Sequence, residues 1–345
     1  FFSSRRRHTR YISVTGVQTC ALPIWVAWLL WPLSWLTWAW IRLNERLYQI
    51  GWRKATRLHV PVLVVGNVWA GGTGKTPVVI SLVEHLKAQG WRVGVIARAY
   101  GREDESVREV HDESLALSVG DEPLLVRRKC QVPVFVGRQR AQAAQALLQA
   151  HPQTQCLISD DGMQHRALWH DLAVCVFDAR GLGNGWLLPA GPLREPWPKR
   201  LPDGVGLYAL HAADHAPTPG FALNRRLATQ AVNGLGETQA LSHWQGQAVQ
   251  ALAAIAQPEV FFDSLELAGL KVTLRWPRPD HDDLQDWRTT SDLPLFCTEK
   301  DAVKLWAQQP QAWAVPLVCE LPATLLDSID QDLQKLSSRH GHQTA

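Results

Sequence analysis

The stretch Val60-Pro-Val-Leu-Val-Val-Gly66-Asn-Val-Trp-Ala-Gly71-Gly-Thr-Gly-Lys75-Thr-Pro77 decides the fold. Its β-branched opening, bounded by Gly66, predicts a buried strand. A glycine-rich loop follows, and Pro77 to Gln89 reads as a helix closed by Gly90. Strand, glycine loop and helix in that order form the context of a phosphate-binding loop. The glycines let backbone N–H groups point inward at phosphate oxygens, and the helix N-terminus adds its positive dipole end. Gly71, Gly72, Thr73, Gly74, Lys75 and Thr76 are therefore the candidate nucleotide-binding residues. Lys75 reaches the β- and γ-phosphates, and Thr76 offers its hydroxyl to Mg²⁺. The strict motif asks for glycine at position 69, where Trp69 stands, so the run follows the G-G-x-G-K-T variant. Thr298-Glu-Lys300-Asp301 carries its lysine one place too late for a guanine-reading motif, which favours ATP over GTP.

Working outward, short apolar runs alternate with helical ones. Arg92–Ala97, 155–159 and Leu172–Phe177 read as strands, and Arg140–Ala150 as a helix. This alternation predicts a parallel sheet with right-handed crossovers. Gly181–Pro202 reads as a long loop, and 206–239 as a linker of weak periodicity. A second α/β pattern begins at Ala240: a strand near 247–255, a helix from Pro258, strands at 271–275 and 295–297, and a helix over 301–308. The expected organisation is a P-loop NTPase-type parallel core flanked by helices (58–205), a linker (206–239), a second, smaller α/β domain closing over the active site (240–345), and an amino-terminal membrane-associated helix with a basic flank (25–57).

Hydrophobic residues make up 46% of the 345 and charged residues 19%, which excludes a disordered chain. The formal charge of +3 owes four charges to Arg5, Arg6, Arg7 and Arg10, and the remainder sums to −1, so basicity gives no argument for nucleic acid. The six cysteines form no C-x-x-C pair, and reduced, buried thiols are expected. Of 17 tryptophans, seven lie between Trp25 and Trp52. Ile24–Ile41 carries no charge, and Arg42, Arg46, Arg53, Lys54 and Arg57 follow it. Such a run is long enough to span or enter a bilayer, with its basic flank held cytoplasmic. Pro32 is expected to kink or divide it. Residues 1–24 read as the translation of a sequencing-library adapter (Val14-Thr-Gly-Val-Gln-Thr-Cys-Ala-Leu-Pro-Ile24 matches its frame) and are expected to be non-native.

Candidate chemistry clusters at strand ends. Asp160 follows a buried strand, where an acid holds Mg²⁺, with Asp161 beside it. Asp121 in Gly120-Asp-Glu-Pro123 is a helix cap or a catalytic base, and Asp280-His281-Asp-Asp283 alone reads as a charge cluster. Arg98 and Tyr100 lie just past a strand end, and Arg194 sits in the rigid Leu188-Pro-Ala-Gly-Pro-Leu-Arg-Glu195 loop, suited to phosphate.

In order and spacing these segments resemble the tetraacyldisaccharide 4′-kinase family from about Trp25 to Leu305, with Gly137-Arg138…Arg140, Gln164-His165 and Thr298-Glu-Lys-Asp-Ala-Val-Lys-Leu305 adding to the match. The resemblance implies transfer of the γ-phosphoryl group of ATP, with Mg²⁺, to the 4′-hydroxyl of an acylated glucosamine disaccharide 1-phosphate. The product is lipid IVA, made at the cytoplasmic face of a Gram-negative inner membrane. It implies Asp121 as base paired with His281, and Lys75 and Arg194 as charge stabilisers. Arg98, Tyr100, Glu122, Arg140, Asp161 and His165 become further candidate substrate or active-site residues. Ala99, Met163 and Asp282 depart from the family pattern, and none of them removes a catalytic group. The competing readings are a membrane-bound P-loop ATPase acting on a protein partner and a soluble small-molecule P-loop kinase.

Overall fold

The computed structural model describes residues 23–98, 106–199, 201–202, 204–212 and 220–341. The segment 1–22 and Tyr100 lie outside the described residues. In chain order the elements are α1 (Ile24–Gln49), β1 (Val62–Gly66), α2 (Lys75–Ala88), β2 (Val93–Ala97), β3 (Arg108–Glu109), α3 (Ala116–Val119), α4 (Asp121–Cys130), β4 (Val134–Val136), α5 (Arg140–Ala150), β5 (Cys156–Asp160) and β6 (Leu172–Phe177). Then follow β7 (Gly206–Ala212), β8 (Phe221–Leu227), β9 (Gln230–Asn233), β10 (Thr238–Ala240), β11 (Ala248–Ala253), α6 (Pro258–Leu267), β12 (Lys271–Pro277), β13 (Leu295–Thr298), α7 (Glu299–Leu305), β14 (Trp313–Val315), β15 (Leu317–Glu320) and α8 (Ala323–Gly341).

Nine strands form the first sheet in the order β15-β8-β7-β6-β1-β5-β2-β4-β3. It is parallel from β8 to β4, with antiparallel strands β15 and β3 at its edges. β1 lies between β5 and β6, and Val65 faces Asp160 in register. Alternate residues of β1 serve opposite cores: Leu63 and Val65 pack with α2, α4 and α8, while Val62 and Val64 pack with α5. Both faces are covered, which is why the strand reads as an unbroken apolar run.

The second sheet has six strands, β10-β9-β14-β13-β11-β12. Two expected boundaries differ from the structure. The stretch 206–239 is not a linker: it supplies β7 and β8 to the first sheet and β9 and β10 to the second. The weak periodicity there reflects strands nearer the sheet edge, half-buried over much of β7 and β8. The carboxyl-terminal segment leaves the second domain: β15 pairs with β8, and α8 lays Leu325, Ile329 and Leu333 onto the first core. Those residues repeat every four positions, a helical stripe that binds whichever apolar face it meets. His85 to Asp330 at 2.9 Å and the Ser81 hydroxyl to the Cys319 carbonyl at 2.8 Å fix α8 and β15 beside α2.

Helix α1 is continuous through Pro32, which does not divide it into two helices. It is long and apolar enough to cross a membrane, and little of its apolar window is buried, which argues against a core helix. Trp25 is 70% exposed and Leu29 72%. Trp28, Trp31, Trp35 and Trp38 form a ladder with ring centroids 5.8–6.4 Å apart. One side docks on the body: Ser34 donates to the Leu187 carbonyl at 2.8 Å, and Trp186 meets Trp28 edge-on at 5.1 Å. Glu45 pairs with Arg42 and Arg166. The five described cysteines are free and buried, as expected, and burial pushes the Cys156 thiol up to about 12.

Gly66 ends β1 where Met163 crosses it. A β-carbon at position 66 meets Met163 Cγ at 2.5 Å and Cβ at 2.9 Å. Gly66→Ala is expected to lower stability by about 1–3 kcal/mol through overpacking. In urea denaturation the double variant Gly66→Ala/Met163→Ala should lose less than the sum of the single losses, because the shortest clash is gone. Simple additivity would show that Met163 is not what restricts position 66.

Candidate active site

The loop between β1 and α2 is held from outside by side chains that take its carbonyls. Asn67, fully buried, donates to the Gly71 carbonyl at 3.0 Å and to the Thr73 hydroxyl at 2.9 Å. Arg180 donates to the Gly72 carbonyl at 2.8 Å. Arg225 on β8 donates to the carbonyls of Thr73 (2.8 Å) and Gly74 (3.3 Å). Gly71 and Gly74 adopt φ of 121° and 70°, a region that disfavours side chains. Among the described residues the N–H groups of Gly71 to Gly74 find no protein acceptor. With the carbonyls committed, those donors and the first turn of α2 form an anion cradle.

Trp69 stands where the strict motif has glycine, and it works as an anchor. It is buried, its indole N–H donates to the Gly181 carbonyl at 2.6 Å, and the Arg180 guanidinium lies 4.2 Å over its ring. Arg180 itself is gripped by Asp178. Arg180 and Arg225 were not foreseen as site residues, because nothing local in their sequence marks them. They reach the loop only through the fold of the 178–183 turn and β8.

Beyond the cradle, Lys75 Nζ lies 3.3 Å from Asp161 Oδ1. Arg194 donates through Nε to the Trp69 carbonyl at 2.6 Å, bonds Asn67 Oδ1 through Nη2, and lies 3.5 Å from Asp161 Oδ1. Arg140, buried, donates to the carbonyls of Asp160 and Asp161 and so fixes the end of β5. Burial raises the Asp161 carboxyl, but the charges of Lys75, Arg194 and Arg140 outweigh this and hold it low. Asp160 differs. It is buried, its Oδ1 has no partner, and burial with the nearby Glu122 charge pushes its carboxyl up to about 7. A carboxyl oxygen without a partner beside a phosphate cradle fits a divalent cation, and the Thr76 hydroxyl in the first turn of α2 is the other candidate ligand. No cluster of three or more His, Cys, Asp or Glu able to hold a metal occurs among the described residues, so phosphate and water would complete the shell. His165, half-buried with Nε2 unpartnered, is pushed down to about 4 by burial and by the charges of Arg140 and Arg98. Arg98 is exposed just past β2.

The second domain closes over this cradle. A β-carbon on Gly72 would meet that of Ala256 at 3.1 Å and Asp280 Oδ2 at 3.9 Å. Asp121 begins α4, almost fully buried, and His281 Nδ1 lies 3.2 Å from its Oδ1. From α7, Lys304 Nζ lies 3.4 Å and Lys300 Nζ 3.9 Å from Asp121 Oδ2. Lys300 also reaches Glu122 at 3.2 Å and Asp280 at 3.0 Å. Burial raises the Asp121 carboxyl, yet the His281 hydrogen bond and the charges of Lys300 and Lys304 hold it well below the usual carboxylate range. The same hydrogen bond pushes His281 up, against burial and Lys300. Asp121 lies in the first turn of α4, but the backbone N–H its Oδ1 accepts is that of its neighbour Glu122 rather than one further along the turn, so it is not simply a cap. Lys300 and Lys304 were not singled out from sequence. Their four-residue spacing was the available signal, but the expected helix began at 301, after Lys300, whereas α7 begins at Glu299.

A nucleotide cradle at the end of a parallel β-strand, with acids beside it on the neighbouring strand, defines a P-loop nucleotide-binding α/β protein. The chain matches the family model described as Tetraacyldisaccharide-1-P 4'-kinase over residues 26–334, and it belongs to that family. A tetraacyldisaccharide 4'-kinase of Acidovorax sp. (strain JS42) is 52% identical over 317 residues, covering 91% of this chain and 92% of that protein. One from Polaromonas naphthalenivorans (strain CJ2) is 46% identical over 330 residues, covering 93% and 96%. The crystal structure of the "apo" form of LpxK from Aquifex aeolicus in complex with ATP superposes with a TM-score of 0.75 at 27% identity, covering 91% of this chain and 99% of that one.

The ion pair between the two domains sets a pH dependence. Asp121 titrates low in the folded state, so its contribution is present above the ordinary carboxylate value of about 3.9 and is lost only as pH falls through its depressed folded value. His281 titrates high, so its contribution is full below about 6.5 and is lost as pH rises through its folded value. Stability measured by denaturation should therefore decline on the alkaline side of neutrality. The same slope in Asp121→Asn would show that this pair is not its source.

Proposed function

We propose that the chain transfers the γ-phosphoryl group of ATP to the 4′-hydroxyl of tetraacyldisaccharide 1-phosphate, giving lipid IVA in lipid A biosynthesis. The observation that carries this reading is the pairing of the buried Asp121 carboxylate with the imidazole of the exposed His281, brought from two domains to the mouth of the phosphate cradle. An ATPase that hydrolyses nucleotide to move a protein partner needs no such base for an acceptor hydroxyl. A soluble small-molecule kinase leaves the exposed apolar α1 unexplained.

The chemistry follows from the residues. The free N–H groups of Gly71–Gly74 and Lys75 hold the β- and γ-phosphates, and Arg194 meets charge on the transferring group. Thr76 and Asp160 would hold Mg²⁺, which when bound neutralises phosphate charge. The acceptor hydroxyl gives its proton to Asp121 as its oxygen bonds phosphorus and the bond to the ADP oxygen breaks. His281 Nδ1 orients the carboxylate from the other oxygen. Glu122, Arg98 and His165 line the approach, and Asp161 keeps Lys75 and Arg194 in place.

Helix α1 supports work at the cytoplasmic face of the inner membrane of a Gram-negative bacterium, where the acyl chains of the substrate lie. Its docking through Ser34 and Trp186 meets the same loop that carries Arg194. The test is transfer of label from ATP to the acylated disaccharide 1-phosphate with Mg²⁺ present. Asp121→Ala should lower transfer by at least about a hundredfold while ATP affinity stays within a few-fold of wild type. Equal loss of ATP binding would make Asp121 structural, and an unlabelled lipid with wild-type protein would overturn the assignment.

A further inference from the structure

We propose that Lys300 and Lys304 are positioning residues for this phosphoryl transfer, one face of α7 holding the Asp121 carboxylate and the His281 loop in the arrangement that receives the sugar hydroxyl. The inference rests on the kinase reading above. The lysines are four residues apart, so both side chains leave the same face of the helix. Lys304, 7% exposed, places Nζ 3.4 Å from Asp121 Oδ2, donates to the Asp282 carbonyl at 2.6 Å and lies 3.7 Å from Asp301 Oδ1. One ammonium thus joins the carboxylate, the backbone next to His281, and its own helix.

Lys300 acts on the other partner. Its Nζ lies 3.3 Å from His281 Nε2, with Asp280 at 3.0 Å and Glu122 at 3.2 Å balancing its charge. An ammonium can only donate, so the imidazole nitrogen facing it accepts whenever the ring is neutral. The ring proton then stays on Nδ1 and points at Asp121 Oδ1. Oδ2 meets Lys304 and Lys300 at 3.4 and 3.9 Å, too long for a tight hydrogen bond, and a carboxylate oxygen keeps room for a further donor. That leaves Oδ2 to receive the acceptor hydroxyl. Buried ammonium groups are costly unless paired, and here the carboxylate partners belong to the dyad, its flanking residues or α7.

The experiment measures lipid phosphorylation across pH, together with ATP affinity and thermal stability, for wild type, Lys304→Met, Lys304→Arg and Lys300→Met. Both methionine variants should lose about tenfold to a hundredfold in kcat, with ATP affinity changed less than about threefold. In Lys304→Met the acid limb should move up by about one pH unit or more, because removing a positive charge from beside Asp121, with His281, Lys300 and Glu122 still facing it, raises its carboxyl. Lys304→Arg keeps the charge and should keep the wild-type acid limb. Wild-type kcat and pH profile in both methionine variants would overturn the inference. So would a fall in activity that tracks lost stability and ATP affinity with the profile unmoved. Wild-type protein that labels no lipid would overturn the kinase reading itself, a result separate from either.

Discussion

The structure depends on turning four successive carbonyls of a glycine loop away from the space where phosphate sits. Asn67, Arg180 and Arg225 hold the carbonyls of Gly71 to Gly74 from outside. A peptide plane turned outward at its oxygen is turned inward at the next N–H, so these contacts shape the anion site. Trp69, Arg194 and Gln164 hold the same loop against the strands on either side. Glycine suits the loop because φ at Gly71 and Gly74 disfavours ordinary side chains, and because a β-carbon at Gly72 or Gly74 would crowd Ala256 or Arg225 at 3.1 Å.

From that cradle the charge distribution separates two aspartates that are adjacent in sequence. Asp161 is held ionised by Lys75 and Arg194, whereas Asp160 is buried, lacks a partner for one oxygen and titrates near 7. Their unequal surroundings suit unequal tasks, with one aligning cations of the protein and the other fitted to a metal ion. A second asymmetry lies across the cleft, where Asp121 is kept ionised by groups from the other domain. With Asp121 on one domain and its partners on the other, the competence of the proposed base would depend on how the two domains meet.

Helix α1 also docks against the segment that carries Arg194. Ser34, Trp28 and Glu45 of α1 contact Leu187, Trp186 and Arg166, and the 181–199 segment between them carries Arg194. In the proposed membrane-bound state the helix would set the position of the bilayer relative to Arg194. Its exposed tryptophans suit the interface between headgroups and acyl chains.

The phosphate loop, the strand before it, α5 and β6 were legible from sequence because each is set by local pattern: glycine spacing, β-branched runs, an alanine-rich helical stretch. Asp121 and Arg194 stood as local candidates with competing explanations, and the pairing of Asp121 with His281 came only through resemblance, since an isolated Asp-Glu-Pro or Asp-His pair has several local explanations. The half-buried strands of 206–239 read as a linker because they lack a strong period. Residues 317–341 read as part of the second domain, although β15 and α8 complete the first. By itself the sequence determined a P-loop α/β protein with an apolar helix at one end, because those features repeat over short distances along the chain. Only the tertiary structure decided that Arg180 and Arg225 would hold the loop and that Lys300 and Lys304 would face Asp121. Contacts between residues more than a hundred positions apart depend on how strands order within a sheet, and no local pattern encodes that.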